Sequence, residues 1–190
     1  MHTRAPHAEA APPLVHIPAG NITLTDARAR RSWNVQLEAF EIGVYPVTQA
    51  EYSAVLSEQP SMQDGERMPV VDVSWFDAVR FCNALSLQLG LDPAYQLRGD
   101  PDELSVHWNA AASGFRLPTE AEWEYACRAG TSGPRYGPRD EIAWYRDNSE
   151  ERLHAVGEKT ANACSRPRSA SGTSGIFSAR SAKFSVPVTP

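Results

Sequence analysis

Hydrophobic positions along the chain come in short runs whose period changes. LVHIPAG, beginning at Leu14, reads as a strand followed by a turn. WNVQLEAFEIGV, from Trp33 to Val44, alternates well enough for a strand or hairpin, with Val35, Leu37, Ala39, Phe40 and Ile42 toward the core. The pattern then turns helical, and three helix starts share one device. Thr48 is followed by Glu51, Ser74 by Asp77, and Thr119 by Glu122. In a capping box the hydroxyl satisfies an orphan amide of the first turn, and the acid reaches back to the cap amide. Acid in the first turn also suits the helix dipole.

The first helix is expected to end near Leu56. The second carries Ala78, Phe81, Cys82, Leu85 and Leu89 on one face, and Gly90 ends it. The third carries Trp123, Ala126 and Cys127, with Trp123 expected to anchor it in the core and Gly130 to end it. Between the second and third, Asp92 to Ser113 contains Tyr95, Leu97, Val106 and Trp108, which suggests short strands. AWYRDN, Ala143 to Asn148, reads as a strand with Asn148 in the turn after it.

The two ends differ from this middle. Residues 1–13 are rich in Ala, Pro and His and read as a disordered arm. From Cys164 to Pro190 the chain has no acidic residue and is rich in Ser with interspersed Arg, the composition of a disordered tail. The 190 residues therefore make one domain, 14–163, with two tails. Eighteen basic against 23 acidic side chains leave a charge of −5, so no global basic field draws the chain to nucleic acid or to an anionic membrane. No apolar run reaches the roughly 18 residues of a membrane span. The N-terminal segment lacks the apolar core of a secretory signal, so a cytoplasmic location is expected.

Candidate chemistry is sparse. The three cysteines, Cys82, Cys127 and Cys164, are too few and too far apart for a disulfide framework. Cys82 and Cys127 lie on apolar helix faces, where a thiol acts as a small hydrophobe. His16, His107 and His154 have no metal-ligand spacing. There is no nucleophile elbow and no glycine-rich phosphate loop. Glu120, Glu122 and Glu124 suit capping, the helix dipole and pairing with Arg116 or Arg128 better than acid–base work. These features alone describe a loop-rich α+β domain.

One string says more. SGFRLPTEAEWEYACRAG, residues 113–130, resembles the hallmark segment of the formylglycine-generating enzyme family, the sulfatase-modifying-factor domain. FEIGVYPVTQAEYSAVL (Phe40 to Leu56) and MPVVDVSWFDAVRFCNALS (Met68 to Ser86) resemble two further blocks in the same order. RYGPRDEIAWYRDNS (Arg135 to Ser149) and AVGEKTANA (Ala155 to Ala163) also fit. The resemblance implies a partial formylglycine-generating-enzyme fold, α+β and C-type-lectin-like, with three short helices. It implies oxidation of a sulfatase cysteine to Cα-formylglycine, or a related oxidative maturation, and hence a protein or peptide partner. The family uses copper(I) held by two cysteine thiolates, soft ligands for a soft ion. It also uses structural calcium, and Asn148 matches one asparagine ligand in some members.

The family pattern is not continued after Ala163. The Trp-rich segment, the Arg-Gly-Gly-Ser block and the copper-binding cysteines are absent, and the abrupt change resembles a frameshift or truncation. The chain is therefore expected to be an inactive member, with no catalytic residue and no complete cofactor site. Apolar faces of the three helices should be left partly uncovered. The alternatives are a non-catalytic ligand- or protein-binding module on the same scaffold, and an oxidase whose site another chain completes.

Overall fold

The computed structural model describes residues 11–62, 65–99, 105–131, 135–160 and 179–180. Strands β1 (Leu14–Ile17), β2 (Gly20–Asp26), β3 (Arg31–Leu37) and β4 (Phe40–Gly43) come first. Helices α1 (Gln49–Leu56) and α2 (Trp75–Gln88) follow, then β5 (Tyr95–Arg98), β6 (Ser105–Trp108) and β7 (Phe115–Arg116). Helices α3 (Glu120–Arg128) and α4 (Arg139–Ile142) precede the short strand β8 (Ala179–Arg180). None of the described helices is long and apolar enough to cross a membrane.

The strands form an antiparallel sheet in the order β1-β4-β8-β7 and two separate hairpins, β2–β3 and β5–β6. The alternating segment from Trp33 thus splits into two strands of different sheets. Ordered packing begins ahead of Leu14, since Pro12 is buried and the Pro13 carbonyl accepts from the Val44 amide at 2.8 Å. Ala179–Arg180 is a strand between β4 and β7, a departure from the disordered tail expected there. The other residues of 164–190, and residues 1–10 of the arm, lie outside the described residues.

All three capping boxes form. Thr48, Ser74 and Thr119 each accept from the amide three residues on, and Glu51, Asp77 and Glu122 close each box. The Asp77 carboxyl is held below its ordinary pKa chiefly by the Ser74 hydroxyl and amide. Ser74→Ala should therefore cost about 1 kcal/mol of stability, read as a lowered urea midpoint with an unchanged slope. Helix ends also follow the sequence: α1 stops at Leu56, Gly90 follows α2 with φ +70°, and Gly130 follows α3 with φ +81°. A fourth, one-turn helix, α4, has no side-chain cap.

Three apolar clusters hold the elements together. The largest surrounds α2, whose Val79, Phe81, Cys82 and Leu85 meet Tyr52 and Val55 of α1 and Phe115 of β7. Phe81 stacks on Tyr52 with ring centroids 5.4 Å apart. The other two lie under α3: Ala126 seals Ile17, Phe40 and Ile42, and Ala121 seals Ile22, Leu24 and Leu37. Tyr125 packs against both, and Gly20 leaves room for it, since a Cβ there would lie 2.1 Å from the Tyr125 hydroxyl.

Two polar side chains of α2 fix its neighbours. The Ser86 hydroxyl donates to the Cys82 carbonyl and accepts from the Phe115 amide at 2.8 Å. Asn83 donates to the Tyr95 carbonyl at 2.8 Å and accepts from the Tyr95 amide at 3.1 Å, so its carboxamide acts as a short piece of strand beside β5.

Two expectations fail at the helices. Leu89 is past the last turn of α2 and 37% exposed, because the buried stripe runs through Val79 and Ser86 instead. Trp123 does not anchor α3: it is 40% exposed, and the inward positions are Ala121, Glu122 and Ala126. Glu122 takes the interior place because Arg116 meets it there with two hydrogen bonds, at 2.7 and 2.6 Å.

Candidate functional site

The segment around Asn148 is a turn, so the strand expected over AWYRD is absent. Asn148 accepts from the Tyr145 amide at 2.8 Å and donates to the Ala143 carbonyl at 3.1 Å. The Tyr145 hydroxyl donates to Asp140, and the Arg139 guanidinium lies 3.5 Å from the centre of the Tyr145 ring. Beside it, His154 stacks on Trp144 at 3.7 Å, and the Lys159 ammonium lies 3.6 Å from the same ring. Lys159 also donates to the Asp140 carbonyl at 2.6 Å. No local pattern announces this stack, since His154 and Lys159 follow Trp144 by ten and fifteen residues with no regular element between them.

Calcium takes six to eight oxygen ligands. Asn148 already spends its oxygen on the turn, and no three acidic, histidine or cysteine side chains gather among the described residues. Asn148 thus holds the turn, and no acidic cluster accompanies it among the described residues. Copper(I) needs paired thiolates. Burial pushes the Cys82 thiol up to about 12, against a smaller opposing effect of Arg116, so it stays protonated inside the α2 cluster. Cys127 is half-buried on α3, and Cys164 lies outside the described residues. Cys82 therefore serves as the small apolar residue expected, and a thiol held protonated there does not fit a copper site.

The glutamates of α3 are structural as well. Glu122 joins the buried Arg116 pair and the Thr119 cap, and Glu124 pairs with Arg128 one turn on. His16 and His107 are exposed on β1 and β6.

What the molecule does present is aromatic surface. Trp75 and Phe76 open α2 at 53% and 39% exposure, edge to face with centroids 5.2 Å apart. A chain of ion pairs lies beside them, with Arg80 bridging Asp77 and Glu58. Trp123 is exposed on α3, whereas the apolar faces of the three helices, expected to be partly uncovered, are buried: Tyr52 and Val55 of α1, Phe81, Cys82 and Leu85 of α2, and Ala126 of α3. Such a surface can hold an apolar or planar group against its rings, and it offers no nucleophile.

The chain matches the Sulfatase-modifying factor enzyme 1-like domain family over residues 2–179. It is 39% identical over 135 residues to the chaperone protein LppX of Paenibacillus barcinonensis, covering 63% of this chain and 48% of that protein. It is 31% identical over 162 residues to the formylglycine-generating enzyme of Bos taurus, covering 66% of this chain and 42% of the enzyme. The chain thus spans about half the length of the curated relatives it matches. The solved structure of Treponema denticola variable protein 1 superposes with a TM-score of 0.71 at 30% identity, covering 78% of this chain and 66% of that one.

Proposed function

Because the chain belongs to the sulfatase-modifying factor enzyme 1-like family, we propose that it binds a protein partner and does not itself oxidise cysteine. One observation carries this: within the family-like blocks the capping residues, the ion pair and Cys82 are spent on the fold, while aromatic side chains face out. The three caps, the Arg116–Glu122 pair and Cys82 are structural, whereas Trp75 and Phe76 stand in solvent. A relative named as a chaperone and another named as a formylglycine-generating enzyme both support a partner that is itself a protein. The buried thiol of Cys82, outside any disulfide, suits a reducing compartment such as the cytoplasm.

The test is direct. The full chain, loaded with copper(I) in air, is incubated with a cysteine-containing sulfatase peptide, and the peptide is weighed by mass spectrometry. The expected result is an unchanged cysteine. Conversion of the thiol to the aldehyde would overturn the proposal.

A further inference from the structure

The tip of the β2–β3 hairpin concentrates positive charge on an acidic molecule. Arg28, Arg30 and Arg31 stand within four positions, all exposed, and no ion pair engages them among the described residues. The one carboxylate at the tip is Asp26, which faces Arg31 across the strands. Its Oδ1 is committed to the turn, accepting from the Arg28 amide at 2.8 Å and the Ala29 amide at 3.1 Å. Arg30 has φ +50°, a left-handed conformation that glycine adopts with less strain, so the chain keeps a charge where conformation favours none. Trp33 is two residues beyond Arg31 on the same face of β3 and is 41% exposed.

We propose that this tip is a docking site for a short Asp/Glu-rich segment of a partner protein. The guanidinium fork matches a carboxylate with two parallel hydrogen bonds, which a lysine cannot provide. The indole beside it supplies an apolar platform for the segment's side chains. Extent favours a short acidic segment over a nucleic acid or a membrane. The whole chain carries −5, so the surface beyond this basic tip is more acidic still. A long polyanion or a flat anionic bilayer would meet that repulsion on either side, whereas a short segment touches the tip alone. The site stands whether or not the chain oxidises cysteine.

The experiment is fluorescence anisotropy of a labelled Glu–Ala repeat peptide with the full chain at low salt. Saturable binding is expected, weakened by added salt and by at least about tenfold in R28E/R30E/R31E. The milder R28Q/R30G/R31Q, which relieves the strain at Arg30, should lose binding while its urea midpoint holds or rises. Absence of peptide binding, or equal binding by either variant, would overturn the proposal. Tighter binding to oligothymidylate or to phosphatidylserine vesicles than to the peptide would overturn the choice of partner.

Discussion

Glu122→Ala is expected to remove about 3–5 kcal/mol of stability, because it takes away the carboxylate that a buried guanidinium meets with two hydrogen bonds. Arg116 is 1% exposed and is the largest fully buried side chain described, and Glu122 neutralises it with two hydrogen bonds. The substitution also opens the Thr119 capping box. Urea unfolding is the measurement: the midpoint should fall sharply with the slope unchanged. Replacing both partners, R116M with E122L, should recover much of the loss, since two apolar groups leave no charge unpaired. Acid should imitate the single variant. Burial alone would raise the Glu122 pKa, but Arg116 and the Thr119 amide and hydroxyl outweigh it and hold it below 4.5. A carboxyl with a lowered folded pKa stabilises above its unfolded value and loses that contribution as pH falls through the folded one. The wild-type protein should therefore lose stability as pH falls below 4.5, and Glu122→Ala should show a flatter acid limb over the same range.

Phe81→Ala is the second large effect, with an expected loss of about 3–5 kcal/mol. Phe81 is fully buried and stacks on Tyr52, so its removal leaves a cavity between α1 and α2 and forfeits the ring contact. Against a total of about 5–15 kcal/mol for a typical domain, this is a large share. Phe76 provides the internal comparison. It lies on the same helix, five residues earlier, at 39% exposure. Phe76→Ala should stay within about 0.5 kcal/mol of wild type in the same titration. A large loss at Phe76 would mean that its ring is covered in solution.

The helix starts were legible because a capping box is local: a hydroxyl and an acid three residues apart contain the whole device. That residues 92–113 hold short strands, though not that they pair as a hairpin, and the structural use of Glu122 and Glu124 were legible for similar reasons. Trp123 was misplaced because apolar periodicity counts hydrophobic residues and has no place for an inward-facing glutamate. Only Arg116, arriving from β7, makes that position tolerable. AWYRDN looked like a strand on aromatic content, yet Asn148 folds it into a turn through two short-range hydrogen bonds. Ala179–Arg180 could not be found at all, since its partners on β4 and β7 are remote in sequence and its own composition favours no element. The basic hairpin tip was hidden by averaging, because net charge sums over the chain and a surface does not.

The Asn83 carboxamide bears on self-association. A strand with free outward amides and carbonyls is a template on which another chain can add itself. At Tyr95, where β5 meets the core, that outward pair is already taken by a side chain from α2. No incoming strand can begin pairing there without first displacing Asn83. A helix thus guards a sheet edge with a single residue, and the hairpin is kept for its own molecule.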